Sequence, residues 1–309
     1  MLSQVNVCIF LATACLLGRA AASPAEASFN FTYGYSPAAI TVNTVNYTDE
    51  SGTPLMGYLA YDNTTMVQRP AVVIIPDYDG IGPYELWRAN LLAQLGYAAF
   101  VADIYGVAQV QGPALTSAQS STLDEMYLMD PELLLNRVGS GVAEAQMQAV
   151  VMTNATVVIG YCFGAAAILD LAASWPNPIT DNVLGVMAFH AAAPPSAEIN
   201  MTVGNPIRIS VQQGFDDPSI PQAEALMTQE MWESVGVKWE WTWYSQTVHA
   251  YTEPDLVGAN AGSTMAYSAT ADQRSWQALR FYLLDLFSYV TPQNQYANTT
   301  VFDTSSSFA

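Results

Sequence analysis

Short β-rich runs alternate with longer stretches of helical spacing over most of this chain, and this alternation limits its fold more than any other feature. Six such runs occupy residues 71–77, 97–103, 155–161, 183–190, 207–214 and 238–245. The first three carry almost no polar residues, which is typical of strands covered on both faces within a mainly parallel sheet. Parallel strands joined by helices make right-handed crossovers. We therefore expect an α/β fold with a doubly wound, mainly parallel sheet in a three-layer sandwich.

Helical spacing is clearest in four of the intervening stretches, at 84–96, 138–151, 165–175 and 270–290. Before the first apolar run, two alternating stretches flank the turn-like segment 48–54 and predict an antiparallel hairpin. No internal repeat and no linker rich in Pro, Gly or Ser divides the chain. We expect one domain over residues 28–290, followed by a polar tail at 291–309.

The charge balance excludes several classes of partner. The 309 residues include 27 acidic and 8 basic side chains, for a formal charge of −19. Nucleic acids and anionic lipids bind through clusters of Lys and Arg, which this sequence lacks. A hydrophobic content of 51% supports a sizeable core. The composition therefore predicts a globular protein with neither a nucleic acid nor a membrane as its partner.

The N-terminal segment is typical of a signal peptide. The apolar run 7–18 is followed by small residues that suit cleavage between residues 22 and 27, although no Lys or Arg precedes the run. The run is too short for a comfortable transmembrane span, and no other apolar stretch of about 18 residues follows it. We expect a signal peptide at 1–22 and a secreted, extracellular protein.

Export is supported independently by six Asn-x-Ser/Thr sequons, which predict a glycoprotein. Their asparagines are Asn30, Asn46, Asn63, Asn154, Asn200 and Asn298. Cleavage of the signal peptide would remove Cys8 and Cys15 and leave Cys162 as the one cysteine of the mature chain. In an oxidising compartment a lone thiol is either well buried or retained for its reactivity. An inert core cysteine is thus one interpretation of Cys162, and a reactive thiol is the other.

Residues 160–164 form the pattern G-x-C-x-G, the thiol version of the G-x-S-x-G nucleophile elbow. The pattern lies between a predicted strand and a predicted helix, where such an elbow must lie. Its tight turn demands small residues two positions before and after the nucleophile, and Gly160 and Gly164 meet that demand. The helix N-terminus favours the thiolate and so predicts a lowered pKa for Cys162. The N–H of Phe163 would point at an oxyanion formed on the attacked carbon.

A cysteine nucleophile needs a base, and the chain has two histidines. In α/β-hydrolases the nucleophile comes first along the chain, the acid second and the base last. That order selects His249, which follows the last predicted strand. His190 ends the strand directly after the nucleophile helix, and we expect it to be a loop or core histidine that bonds a neighbouring backbone group.

The acid should follow the strand at 207–214, where Asp216 and Asp217 compete. Adjacent side chains diverge in direction, so at most one of the two can reach the imidazole. Its role would be to hold His249 in the right tautomer and to stabilise the imidazolium that forms.

Two more carboxylates, Asp77 and Asp79, follow the first predicted parallel strand. They face the same crevice, because ligands of such sheets bind at the carboxyl ends of the strands. Both could be ordinary turn residues. Alternatively, one of them contacts the resting thiol, and the N–H of Tyr78 completes the oxyanion hole.

Together these features resemble the dienelactone hydrolases, which are α/β-hydrolases with a Cys-Asp-His triad. The similarity extends from residue 57 to the final predicted helix, and its most specific elements are G-Y-C-F-G and the H-A-Y-T stretch at 249–252. In this family a proline follows the acid by four positions, which fits Asp217 with Pro221 and not Asp216.

The resemblance implies that Cys162 is the nucleophile, Asp217 the orienting acid and His249 the base. It also places Asp77 where the best-known members carry a glutamate beside the thiol. Val107 and Glu253 stand where those members bind the substrate carboxylate with arginines. Because Glu253 would repel an anionic substrate, the resemblance implies a neutral ester or lactone instead of dienelactone.

We therefore expect a hydrolase of carboxylic esters or lactones that acts on a small molecule and uses no cofactor. The two widely separated histidines lack zinc-ligand spacing, and the acidic residues form no calcium-loop pattern, so no metal site is predicted. The alternative from another class is a catalytically silent, ligand-binding glycoprotein that keeps the hydrolase fold. The replaced arginines favour this alternative, and the order of Cys162, Asp217 and His249 favours the enzyme.

Overall fold

The computed structural model describes residues 40–64, 67–177, 180–197, 199–258 and 261–288. The predicted signal peptide, the polar tail and the sequons at Asn30 and Asn298 lie outside these residues. The other four sequon asparagines are all exposed, as attachment of a glycan would require; they are Asn46, Asn63, Asn154 and Asn200.

Eight strands form one mixed sheet in the described part of the chain. They are β1 Ile40–Thr48, β2 Pro54–Asp62, β3 Arg69–Ile75, β4 Ala98–Val101, β5 Val151–Tyr161, β6 Val183–Phe189, β7 Arg208–Gly214 and β8 Trp239–Tyr244. The order across the sheet is β1-β2-β4-β3-β5-β6-β7-β8. Strands β3 to β8 run parallel to one another, whereas β1 pairs antiparallel with β2 and β2 antiparallel with β4. This is the arrangement of an α/β-hydrolase fold and confirms the expected fold class.

Helices cover both faces of the sheet. Those of the described residues are α1 Pro83–Gln94, α2 Val107–Val110, α3 Ser117–Leu128, α4 Pro131–Met147, α5 Phe163–Ala173, α6 Gln222–Val235 and α7 Ala269–Ser288. The four predicted stretches are confirmed as α1, α4, α5 and α7. Within the described residues, none of these helices is long and apolar enough to cross a membrane.

Helix α4 begins earlier than its apolar spacing predicts. Asp130 caps it by accepting a hydrogen bond from the N–H of Leu133, and Pro131 occupies the first turn, as is common at helix starts. The helix also ends earlier, because Val151 already belongs to β5.

The spacing of apolar residues predicts neither α3 nor α6. Most of α3 is polar, and Ser120 and Tyr127 are its fully buried residues, so its sequence lacks the apolar stripe that identifies a helix. A capping box of Thr116 and Gln119 starts it instead.

The N-terminal hairpin is confirmed. Strands β1 and β2 pair in one continuous register, from Ile40 opposite Asp62 to Thr48 opposite Pro54. The turn between them is held by Asp49, whose carboxylate accepts hydrogen bonds from the N–H of Thr53 and the hydroxyl of Ser51, each at 2.7 Å. The hairpin extends the sheet at the edge far from β8.

The core occupies both faces of the central parallel strands. All seven residues of β3 are buried, and successive side chains point to opposite faces. Val73 packs in the layer that holds Val138 of α4, whereas Val72 packs in the layer that holds Leu92 of α1 and Leu283 of α7. Each fully buried side chain of this kind contributes about 1.5–3 kcal/mol. The three layers predicted from the alternating pattern are therefore present.

Candidate active site

Cys162 lies at the turn between β5 and α5. Its φ of 51° and ψ of −113° are strained for a residue that has a Cβ. Backbone hydrogen bonds hold this conformation: the N–H of Cys162 donates to the carbonyl of Phe189, and its own carbonyl accepts from the N–H groups of Ala165 and Ala192. The turn presents the sulfur at the carboxyl edge of the sheet, as the G-x-C-x-G pattern predicts.

Glycines on both sides of Cys162 allow this turn to form. A Cβ at Gly160 would lie 2.3 Å from the carbonyl oxygen of Gly164, and a Cβ at Gly164 would lie 2.3 Å from the carbonyl oxygen of Ile75. Because the obstructing atoms belong to the backbone, no change of side-chain rotamer could relieve the clash. The close approach of α5 to β3 and β5 therefore depends on these glycines.

We expect Gly164→Ala to lower the free energy of unfolding by about 3 kcal/mol, since the added methyl group must displace backbone. Urea unfolding followed by circular dichroism measures the change. Gly262→Ala is the matched control, because the nearest atom to a Cβ there is the carbonyl oxygen of Met265 at 3.7 Å. Its effect should stay within about 1 kcal/mol, and equal losses in the two variants would contradict this account of the elbow.

Three of the predicted site residues meet at the carboxyl edge of the sheet. His249 Nε2 lies 3.0 Å from Cys162 Sγ, and His249 Nδ1 lies 2.8 Å from Asp217 Oδ2. All three side chains are buried, at 9%, 5% and 3% exposure for Cys162, His249 and Asp217. An imidazole that donates its Nδ1–H to the carboxylate presents the lone pair of Nε2 to the thiol.

Asp217 is held by more than the imidazole. Its Oδ2 also accepts a hydrogen bond from Gln213 Nε2 at 2.8 Å, and its Oδ1 accepts one from the N–H of Ser219 at 2.8 Å. Asp216, in contrast, is exposed. The structure thus brings Asp217, and not Asp216, to His249.

The backbone around His249 is also fixed. The N–H of His249 donates to the carbonyl of Thr264, and its carbonyl accepts from the N–H of Ala266. The hydroxyl of Ser219 lies 3.2 Å from His249 Nδ1. Together with Asp217, these contacts set the orientation of the ring.

Asp77 is buried directly after β3, and its Oδ1 accepts the N–H of Asp79 at 3.0 Å. Burial, followed by the charges of Asp79, Glu253 and Glu85, raises the pKa of Asp77 well above that of a free aspartate. Burial and the charge of Asp79 likewise raise the pKa of Glu85 to about 8. The Asp77 charge acts on Cys162 without a hydrogen bond between the two side chains.

Among the residues described, no group of three or more His, Cys, Asp or Glu side chains could hold a metal ion.

The two predicted oxyanion donors follow neighbouring strands, Phe163 after β5 and Tyr78 after β3. Phe163 follows Cys162 directly, and its backbone N–H favours the thiolate and so lowers the pKa of the Cys162 thiol. Tyr78 follows Asp77, and its carbonyl accepts a hydrogen bond from the hydroxyl of Tyr105 at 3.0 Å, which restrains the backbone there. Burial, with the charge of Asp79 next, raises the pKa of the Tyr78 phenol to about 12.

The Cys162 thiol is less acidic than its position at a helix N-terminus predicts. Burial raises the pKa of this thiol well above the ordinary value, and the charges of Asp124, Asp77 and Glu253 raise it further. The N–H of Phe163 has the opposite, smaller effect and lowers this pKa. The prediction of a lowered pKa is therefore wrong. A helix N-terminus contributes only about 0.3–1 kcal/mol to a nearby charge, which is too little to offset burial among three carboxylates. A raised pKa favours the protonated thiol, whose S–H can donate to His249 Nε2 at 3.0 Å.

We expect the rate at which iodoacetamide alkylates Cys162 to keep rising beyond about pH 8.5, the pKa of a free cysteine. Only the thiolate reacts, and a raised pKa moves thiolate formation to higher pH. Mass spectrometry of the peptide that contains Cys162 measures the rate, with glutathione in the same mixture as the control. A rate that levels off below about pH 7 would show a resting thiolate instead.

A comparison with protein families identifies the family of this chain. The model of the dienelactone hydrolase family matches residues 55–287, which is most of the chain. The chain belongs to the dienelactone hydrolase family. Membership supports hydrolase activity on a small molecule.

Solved structures of other proteins share the fold of this dienelactone hydrolase family member. A dienelactone hydrolase-like promiscuous phosphotriesterase from metagenomic libraries is 29% identical, with a TM-score of 0.72 and coverage of 80% of this chain and 99% of that one. The structure m3DLH is 27% identical, with a TM-score of 0.71 and coverage of 82% and 100%. An uncharacterized protein from Caenorhabditis elegans is 25% identical over 129 residues, which are 42% of this chain and 78% of the relative.

In this family member the other histidine, His190, packs against the ring of His249. His190 is fully buried, its Nε2 lies 2.7 Å from Thr252 Oγ1, and its ring meets the ring of His249 edge to face at 5.2 Å. Burial, and then the charge of His249, lowers the pKa of His190 well below the ordinary value, so its ring stays neutral. His190 is the core histidine that the sequence predicts, although its ring bonds a side chain rather than a backbone group.

Sequence analysis missed two kinds of residue in this dienelactone hydrolase-like site. Ser219 could have been found, because an aspartate that accepts the N–H two residues further on is common in turns. Asp124 of α3 was harder to find, since its segment lacks the apolar stripe of a helix and carries only the capping box of Thr116 and Gln119 as a helix signal. Burial and the charge of Glu125 raise the pKa of Asp124 to about 6, and the charge of His249 lowers it. Asp124 is thus an additional carboxylate whose charge acts on the Cys162 thiol.

Proposed function

We propose that this protein hydrolyses carboxylic esters or lactones that carry no negative charge, with Cys162 as nucleophile, His249 as base and Asp217 as the acid that orients the base. One observation carries the proposal: Cys162 Sγ, both ring nitrogens of His249 and Asp217 Oδ2 form an unbroken chain with distances of 3.0 and 2.8 Å. Nucleophilic catalysis by a thiol requires this order of contacts.

Acylation would begin from the protonated thiol. As the sulfur attacks the carbonyl carbon, the S–H proton moves to His249 Nε2, and the electron pair of the C=O bond moves to the oxygen. The N–H groups of Phe163 and Tyr78 would bind the resulting oxyanion. When the C–O bond breaks, the alcohol oxygen takes the proton from Nε2 and a thioester remains on Cys162. In a lactone the alcohol stays attached to the acyl group.

Deacylation would reverse these roles with water as the nucleophile. His249 Nε2 takes a proton from water while the oxygen attacks the thioester carbon. The C–S bond then breaks, and the proton returns to the sulfur as the carboxylic acid leaves. Asp217 stabilises the imidazolium in both halves of the cycle.

The charges around the thiol favour an uncharged acyl substrate over an anionic one. The charges of Asp124, Asp77 and Glu253 all act on Cys162. A substrate carboxylate placed among them would meet repulsion of a few kcal/mol per pair, on the order of 4 kcal/mol at 4 Å near a protein surface. Dienelactone, whose carboxylate the resemblance assigns to arginines, is therefore not the expected substrate.

A substrate screen tests this proposal. The panel would hold short-chain nitrophenyl esters, simple lactones and one neutral phosphotriester, since a solved relative is described as a promiscuous phosphotriesterase. We expect turnover of esters or lactones that falls at least about 10³-fold in Cys162→Ala. Equal rates in the variant would reject the mechanism. Binding of these compounds without any turnover would support a ligand-binding protein instead.

A further inference from the structure

One face of α3 packs over the N-terminus of α5. Ser120, Leu123 and Tyr127 lie on this face, and the ring of Tyr127 meets the ring of Phe163, the residue after the nucleophile, at a centroid distance of 6.5 Å. Asp124 lies three residues before Tyr127 and therefore on the same face of the helix. The fold thus places this carboxylate over the elbow.

The Asp124 carboxylate has an unused acceptor. Its Oδ1 is buried and has no hydrogen-bond partner among the described residues, although a buried polar atom without a partner costs free energy. Of the charges that act on the Cys162 thiol, that of Asp124 is the strongest, and His249 acts on Asp124 in turn. This acceptor lies on the face of α3 that packs over Phe163, and the proposed mechanism does not use it.

Negative charges dominate the electrostatic surroundings of the Cys162 thiol. The other charges that act most strongly on the thiol, those of Asp77 and Glu253, are also negative. Three arginines of the described residues form ion pairs with other carboxylates and not with the three that act on the thiol. The pairs are Arg88 with Asp272, Arg137 with Asp49 and Arg208 with Asp285. The ring of Tyr105 stacks on Phe163 at 5.8 Å. Carboxylates combined with aromatic faces are the groups that bind ammonium ions.

We propose that Asp124 is a specificity-determining residue that pairs with a positively charged ammonium group of the substrate. The inference rests on the proposed function, and it names the substrate class as esters or lactones that carry a protonated amine near the scissile carbonyl. The ammonium N–H would donate to the unpartnered Oδ1, and the carboxylate would disfavour substrates that carry an acid in that place.

Three acetate esters of similar size test the pairing. Dimethylaminoethyl acetate is protonated at neutral pH, isopentyl acetate is its uncharged isostere, and carboxypropyl acetate carries a negative charge. In the unmodified protein we expect kcat/KM to fall in that order. Asp124→Asn should reduce the ratio of kcat/KM for the ammonium ester to kcat/KM for its isostere at least about tenfold. The ratio is the readout because any effect of Asp124 on the Cys162 thiol is common to both esters. Glu125→Gln is the matched control, because this exposed neighbour undergoes the same change of charge.

The outcomes separate this inference from the proposed function. An unchanged preference in Asp124→Asn, or an equal loss for all three esters, would overturn the role of Asp124 while the Cys162-dependent hydrolysis stands. If no ester is hydrolysed, the proposed function fails, and thiol labelling decides the inference alone. Cationic and anionic methanethiosulfonates would then be compared on Cys162, with Cys162→Ala as the blank. The role of Asp124 is supported if the ratio of the cationic to the anionic labelling rate falls at least about tenfold in Asp124→Asn and does not fall in Glu125→Gln. The role is overturned if Asp124→Asn has the same ratio as the unmodified protein.

Discussion

Asp217→Asn should lower kcat for ester hydrolysis by about 10⁴-fold, as the corresponding change does in a Ser-His-Asp triad. The amide can donate to His249 Nδ1, which would place the ring proton on Nε2 and block transfer from the thiol. The neighbouring carboxylate gives a matched control, because Asp216→Asn removes the same charge one residue away. Asp216 is exposed, whereas Asp217 is 3% exposed and 2.8 Å from the imidazole. We expect Asp216→Asn to change kcat by less than about threefold.

Steady-state kinetics on the best ester from the screen measure both variants. Thermal unfolding shows whether each variant is folded, since Asp217→Asn also alters the hydrogen bonds from Gln213 and Ser219. Equal rates in a folded Asp217→Asn variant and in Asp216→Asn would show that neither carboxylate orients the base.

Cys162→Ala and His249→Ala should each lower kcat by at least about 10³-fold, and the double variant should be no slower than the slower single variant. The reason is that the base acts on the proton of the nucleophile, so removal of either group removes the function of the other. The 3.0 Å contact between Sγ and Nε2 is the basis of this coupling. A double variant whose loss equals the product of the two single losses would mean that the residues act independently.

Much of the fold could be predicted because it follows from local pattern. The apolar runs that became β3 and β5 are covered on both faces, and their composition already indicates this. The capped start of α4 at Asp130 extends the helix beyond its apolar residues, so its boundary was less predictable. Helix α3 has too few apolar residues to show a stripe, and its position depends on contacts such as that between Tyr127 and Phe163.

The site was predictable to the extent that chain order and motif determine it. The G-x-C-x-G pattern located Cys162, and the order of nucleophile, acid and base selected His249. The choice of Asp217 over Asp216 came from the family resemblance, and the structure now places Asp217 alone at the imidazole. The raised pKa of Cys162 could not be predicted, because it depends on burial and on charges such as that of Asp124, which tertiary packing brings together from distant segments.

Mass spectrometry of the enzyme quenched with acid during turnover is the most direct test of the central claim. With a nitrophenyl ester as substrate, we expect the peptide that contains Cys162 to gain the mass of the acyl group, with the label lost on treatment with hydroxylamine as a thioester requires. Cys162→Ala should show no such adduct. An acyl group found on another residue, or rapid hydrolysis by a folded Cys162→Ala variant, would contradict the assignment of Cys162 as the nucleophile.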